Sequence, residues 1–144
     1  MMRKDTLELL KSIQKNAGIL ADDMELLKDK SEDKALCMEL SISAVDFSKL
    51  HDRAKESILK GDEEPYRRGG FEDMHKKNRI GRSTLLNIST SHVAEIAIRE
   101  NQTAMRNVWK AVKHFENAGD FHLEFAKEFL ALQETTIERL KKYL

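Results

Sequence analysis

Apolar residues recur along the chain at alternating spacings of three and four positions, which is the periodicity of an amphipathic α-helix. Such stripes predict four helices: helix A over about 5–28, helix B over about 32–59, helix C over about 83–115 and helix D from about 120 to the end. The stripe of helix A illustrates the pattern: Leu10, Ile13, Ala17, Leu20, Met24 and Leu27. The chain is therefore predicted to be all-α.

Residues that start and stop helices separate these four segments. Ser31, with two acidic residues behind it, predicts the start of helix B, because a serine side chain accepts backbone N–H bonds at that position. Ser83 or Thr84 is expected to cap helix C in the same way. Gly119 is expected to end helix C in the left-handed conformation, and Asp120 is expected to cap helix D.

Between helices B and C, from Gly61 to Arg82, the helical periodicity fails around the only proline, Pro65. We interpret this stretch as a linker inside one domain spanning residues 1–144, since neither half could bury its stripe alone. Some twenty residues reach up to about 65 Å when extended, which exceeds the about 35–45 Å length of each helix. The linker can therefore cross the full length of a four-helix bundle.

The composition agrees with a folded helical domain that is not embedded in a membrane. The chain of 144 residues is 40% hydrophobic and 35% charged, too apolar for a disordered chain and too charged for a membrane protein. Its 25 basic and 25 acidic residues cancel, which argues against a general nucleic-acid binder. Cys37 is the only cysteine, and the N-terminus lacks the apolar core of a signal peptide. We therefore predict a cytoplasmic location.

A short A–B turn, a long B–C crossover and a short C–D turn form the ferritin-like arrangement. The chain resembles ferritin-like bundles, including small bacterial proteins of that build, in this layout and in two segments. They are Ser-Thr-Ser-His-Val-Ala-Glu at 89–95 and Ile-Glu-Arg-Leu-Lys-Lys-Tyr-Leu at 137–144. The resemblance implies a four-helix bundle with ferritin-like topology. If helix C began near Glu72, the shorter linker would instead give a simple up-down-up-down bundle.

Active ferritin-like proteins hold two metal ions with carboxylates from four helices and with Glu-x-x-His on two of them. Helices B and D of this chain lack that motif, and its one match, Glu72 with His75, lies in the linker. The resemblance therefore does not imply ferroxidase chemistry, and we assign no cofactor and no catalytic residue. His92 and Glu95 share a face of helix C. They are interpreted either as a hydrogen-bonded polar pair or as candidate metal ligands.

Six basic residues in and beside the linker form the second candidate site. They could meet a phosphate backbone, another anion or an acidic partner, with Tyr66 and Phe71 available for stacking. The alternative interpretation is a solvated crossover loop, balanced by Asp62, Glu63 and Glu64. The six candidates are Arg67, Arg68, Lys76, Lys77, Arg79 and Arg82.

Three further positions receive structural interpretations. Gly18 interrupts the stripe of helix A and is interpreted as a point of close helix packing. Trp109, with Met105 and Phe115 at helical spacing, is interpreted as part of the core. His51 is interpreted as part of a solvated polar edge.

The functional expectation follows from strong packing patterns without a complete catalytic constellation. We predict a non-catalytic helical bundle that acts through protein–protein association, either with another protein or with a second copy as a homodimer. One alternative is a ferritin-like metal-binding protein that uses His92 and Glu95. Another is a nucleic-acid or anion binder that uses the basic 67–82 segment. No membrane partner is expected.

Overall fold

A computed structural model of the chain describes residues 2–67, 80–81, 84 and 87–144. Four long helices account for most of these residues: α1 at Lys4–Lys30, α2 at Lys34–Lys60, α3 at Thr90–His114 and α4 at Asp120–Lys141. No strand occurs in the described ranges, and no described helix is long and apolar enough to cross a membrane. The prediction of an all-α, four-helix protein is confirmed.

The apolar stripes of the four helices meet in one shared core. Every member of the α1 stripe read from the sequence, from Leu10 to Leu27, is fully buried. Phe47 of α2 and Phe129 of α4 are also fully buried, and their ring centroids lie 5.9 Å apart. Burying large apolar side chains of this kind contributes about 1.5–3 kcal/mol each. The core therefore supplies most of the energy that holds the helices together.

Helix α1 runs antiparallel to both α2 and α3. The turn from α1 to α2 is short, and the thiol of Cys37 in α2 lies 3.5 Å from the carbonyl oxygen of Lys28. Three contacts show the direction of α1 relative to α3: from Thr6 to Met24 along α1, their partners run backwards from Gly119, just after α3, to Asn101 at its middle. Thr6 Oγ1 accepts a bond from Gly119 N at 3.5 Å, Asn16 Oδ1 accepts one from Asn107 Nδ2 at 3.3 Å, and Met24 Sδ lies 4.0 Å from Asn101 Nδ2.

Helix α4 packs against α3 and, more sparsely, against α2. The side-chain amide of Gln133 donates to the carbonyl oxygen of Asn101 at 3.2 Å, which ties α4 to α3. On the other side, Arg53 contacts Glu128. Because α2 and α3 are both antiparallel to α1, they point in the same direction.

The start of α2 differs slightly from the sequence prediction. Asp33, not Ser31, caps the helix: its Oδ1 accepts a hydrogen bond from Leu36 N at 2.8 Å. Ser31 instead accepts a bond from Asp33 N at 3.3 Å. The carboxylate lies near the positive end of the helix and outcompetes the hydroxyl.

Helix C begins later than predicted, and Ser83, one of its two predicted caps, lies outside the described residues. Residues 87–89 are not helical, and α3 begins at Thr90 with Ser89 as its cap, accepting from His92 N at 3.3 Å. Asn87 Oδ1 accepts a bond from Ser89 N at 3.0 Å. Such local side-chain bonds to the backbone compete with a continuous helix. The other predicted cap, Thr84, is itself helical, and its hydroxyl donates to the carbonyl oxygen of Ile80 at 3.0 Å.

The turn from α3 to α4 also forms differently from the prediction. Gly119 has φ −61° and ψ 151°, so it is extended, not left-handed, and Asp120 is the first residue of α4, not its cap. The last turn of α3 closes through the bond from Phe115 N to the carbonyl oxygen of Ala111 at 2.8 Å, and Ala118 N donates to the carbonyl oxygen of Phe115 at 3.0 Å in the turn that follows. The bond from Gly119 N to Thr6 then holds the turn against α1.

Candidate functional site

An open cavity of about 600 Å³ runs along the α1–α2 pair and the segment that follows α2. We call this cavity the groove, and we call residues 65–67, which border it, the strap. The lining side chains are mostly polar and carry both signs of charge. They include Lys15, Gly18 and Asp22 of α1, His51, Asp52 and Lys55 of α2, and Tyr66 and Arg67 of the strap.

A buried glutamine fastens the strap to α1. Gln14 Oε1 accepts a hydrogen bond from Tyr66 N at 2.9 Å, and Gln14 Nε2 donates to Tyr66 O at 3.2 Å. The two bonds engage the amide oxygen and the amide nitrogen of one side chain, as in the pairing of two strands. Lys15 Nζ lies 5.3 Å from the centroid of the Tyr66 ring, within the range of a cation–π contact. The strap is thus held in place against α1.

The floor of the groove is a histidine packed over a glycine. A Cβ atom at Gly18 would lie 2.9 Å from His51 Cδ2, a distance that real Cβ atoms essentially never show. The interpretation of Gly18 as a point of close packing is therefore confirmed. His51, which the sequence places on a solvated polar edge, is partly exposed at 31% and also packs on Gly18 of α1. Asp52 Oδ1 lies 3.0 Å from His51 Nδ1 and orients the ring.

The charges of the groove are separated along its length. Because α1 and α2 are antiparallel and Gly18 faces His51, Lys15 and Lys55 lie toward one end and Asp22 toward the other. The strap brings Arg67 to the same end as Lys15. Throughout the described residues, no ion pair joins a carboxylate to Lys15, Lys55 or Arg67. The groove therefore has a cationic end, which we define by these three residues.

Of the basic cluster predicted from the sequence, the structure places Arg67, at the cationic end of the groove. The other five residues lie outside the described ranges: Arg68, Lys76, Lys77, Arg79 and Arg82. Their proposed contact with an anion or a partner stays a prediction.

The candidate metal pair lies at the start of α3. His92 Nδ1 is 3.8 Å from Glu95 Oε2, and the two side chains are 24% and 60% exposed. In the part of the chain that the structure describes, no three His, Cys, Asp or Glu residues are grouped so that they could hold a metal ion. A metal site at His92 and Glu95 stays a prediction.

Helix α2 carries an apolar stripe on its outer face that faces neither α1 nor α4. Met38, Ile42 and Val45 are spaced four and three residues apart, so they share one face of the helix. Their exposed fractions are 67%, 44% and 51%. These three residues lie outside the buried stripe that the sequence predicts for this helix. A second set of apolar residues at helical spacing was the signal that could have revealed this α2 stripe.

The prediction that Trp109 belongs to the core was wrong. Its side chain is 46% exposed and lines a shallow surface cavity with Arg106, Lys110 and Lys113. The core position beside it is Val108, which is fully buried. Adjacent residues of a helix are about 100° apart around its axis, so burial of Val108 turns Trp109 toward the surface.

No protein-family model matches the chain, no curated protein matches its sequence, and no solved structure matches its fold. The class that the fold and the surfaces define is an all-α, four-helix protein with a polar groove and an exposed apolar stripe. The geometry of these two features is the basis for the function proposed below.

Proposed function

We propose that this protein is a non-catalytic helical bundle that associates with a second copy of itself through the α2 stripe. The observation that carries the proposal is the exposure of Met38, Ile42 and Val45 in line on one regular helix. Burying an apolar side chain contributes up to about 1.5–3 kcal/mol. Covering the stripe is therefore a driving force for association.

A second copy is the partner that fits this stripe best. A two-fold axis brings the same surface patch of both copies together, so an apolar stripe on α2 meets an equivalent apolar stripe. The chain carries 25 basic and 25 acidic residues, so two copies do not repel each other through net charge.

Sedimentation velocity of the full chain over a range of concentrations tests the self-association. We expect a dimer for the unaltered protein and a monomer for Val45→Asp, since a carboxylate would be buried without a partner. The matched control is Leu59→Asp, because Leu59 is also 51% exposed on α2 but lies outside the stripe. It should remain dimeric. An unaltered protein that is monomeric at about 100 μM, or two variants that behave alike, would contradict the proposal.

We further propose that the bundle has the ferritin-like topology. The antiparallel pairing of α1 with α3 supports it, because the first and third helices of a simple up-down-up-down bundle are parallel. Cross-linking tests the direction in a Cys37→Ser background. A thiol-reactive linker should join the pair Thr6→Cys and Gly119→Cys, but not the pair Thr6→Cys and Ser91→Cys at the other end of α3. The reverse result would support the up-down-up-down bundle.

A further inference from the structure

The cationic end of the groove has the composition of an anion site. Lys15, Lys55 and Arg67 line one cavity and pair with no carboxylate in the described residues. Like charges that share a cavity raise the local positive potential, and a bound anion relieves their repulsion. The chain as a whole has zero formal charge. The three cations are thus a local feature and not a consequence of a basic protein.

The walls of the groove are fixed before any ligand arrives. The two hydrogen bonds of Gln14 hold the strap on one side. Gly18 lets His51 lie flat against α1 on the floor, and Asp52 orients its ring through Nδ1. A site whose groups are already in position loses less entropy when a ligand binds.

The size and the charge pattern of the groove select a small molecule. A cavity of about 600 Å³ lies within the usual range of small-ligand pockets, about 300–1,000 Å³. The strap borders the cavity on one side. Asp22 lies toward the opposite end of the groove from the three cations, and Asp52 lies one helical turn from Lys55.

We propose that the groove binds a small organic dianion, either a phosphate monoester or a dicarboxylate. The dianionic group binds Lys15, Lys55 and Arg67 at the cationic end of the groove. Charge-assisted hydrogen bonds of this kind are about twice as strong as neutral ones. This binding function goes beyond self-association, and the α2 stripe shares no residue with the groove.

Isothermal titration calorimetry of the full chain at low salt tests the proposal with three probes: inorganic phosphate, glycerol 3-phosphate and malate. We expect one site per chain and weaker binding as the salt concentration rises. Tighter binding of glycerol 3-phosphate would assign the ligand as a phosphate ester, and tighter binding of malate would assign it as a dicarboxylate. Failure of all three probes to bind below about 10 mM would overturn the proposal.

Substitutions locate the binding. Lys55→Gln and Arg67→Gln should each weaken the best probe about tenfold, the loss of one charge-assisted hydrogen bond. Lys49→Gln is the matched control, since it removes one exposed lysine of α2 outside the groove and should leave the affinity within about twofold. Equal effects of all three substitutions would show a diffuse charge effect and would overturn the site. Unfolding temperatures of the free variants should stay unchanged.

Gln14→Met tests whether binding requires the position of the strap or only the positive charges of the groove. It keeps the charges and the approximate side-chain volume but removes both bonds to Tyr66, so the strap is released. We expect binding of the best probe to weaken while the circular dichroism spectrum stays helical. Unchanged affinity in a folded Gln14→Met variant would show that the strap does not form part of the site.

Discussion

Arg53 of α2 holds Glu128 of α4 through two hydrogen bonds of 2.7 and 3.1 Å. The guanidinium of Arg53 also lies 4.5 Å from the centroid of the Phe125 ring. The hydrogen bond from Arg53 keeps the pKa of Glu128 below its ordinary value, in spite of an opposing effect of burial. This pair connects two helices that touch at few other points, so it fixes how α4 lies beside α2.

We expect Glu128→Gln to lower the free energy of unfolding at neutral pH by at most about 1 kcal/mol, because both partners are about half exposed. A carboxyl whose pKa is lower in the folded state stabilises the fold above its unfolded pKa, and that contribution is lost as the pH falls. The variant should therefore have a lower free energy of unfolding than the unaltered protein at pH 7, and this difference should become smaller at about pH 3. Urea unfolding at the two pH values measures it. Glu124→Gln, which breaks only an exposed pair with Lys127, should have little effect. A difference that persists in acid would contradict the account.

Trp109 is the only tryptophan, so its fluorescence reports the surface of α3 directly. Because 46% of its surface is exposed, we expect its emission to be red-shifted and its ring to be accessible to soluble quenchers. Iodide should quench more strongly than caesium, because Arg106, Lys110 and Lys113 attract anions to the site. Replacing Lys110 and Lys113 with glutamine should reduce that difference. Blue-shifted emission that resists both ions would place the ring in the core instead.

Asp62 has φ 58°, a left-handed conformation that glycine adopts more easily than any other residue. It closes α2: Glu63 N donates to Ile58 O at 3.2 Å, and Asp62 N donates to Leu59 O at 3.0 Å. This is the arrangement in which glycine usually follows a helix. Asp62→Gly should therefore raise the free energy of unfolding by about 0.5–1 kcal/mol. Asp62→Val should lower it, and thermal unfolding that ranks the two variants the other way would refute the assignment.

Burial lowers the pKa of His122, whose Nδ1 is buried with no hydrogen-bond partner among the described residues. A proton there would place a charge where no group accepts its hydrogen bond. The pKa of His122 is lower in the folded state than in the unfolded state, so the folded state favours the neutral ring. Its contribution to stability is fully present above the unfolded-state pKa and is lost as the pH falls from that value through the folded-state pKa. The free energy of unfolding should therefore decrease between about pH 8 and pH 5.

His122→Leu should make that decrease smaller, and urea unfolding across the same pH range measures it. The control is His114→Gln, at an exposed position on α3, which should keep the pH dependence of the unaltered protein. Identical pH curves for His122→Leu and the unaltered protein would show that His122 is not the group responsible.

The sequence by itself determined the presence of the four helices and the buried stripe of α1. The signal is local: an apolar stripe such as that from Leu10 to Leu27 forms one face of a helix whatever the partner is. The α1 and α2 boundaries fell within two residues of the predicted ones, and the α1 stripe is fully buried. The sequence also predicted close packing at Gly18. A glycine inside a helix destabilises it, so its presence in the apolar stripe indicates that a larger side chain would not fit there.

Only the tertiary structure decided the wall of the groove and the exposure of Trp109, because both depend on contacts between residues far apart in the sequence. Gln14 and Tyr66 are 52 positions apart, and their bonds create the wall of the groove and bring Arg67 beside Lys15. Trp109 and Val108 both suit a core by composition, and the orientation of α3 against α1 and α4 buries one and exposes the other. A helical stripe specifies that a face will be buried, but not against which helix or in which direction. Those choices follow from which arrangement packs all four stripes at once.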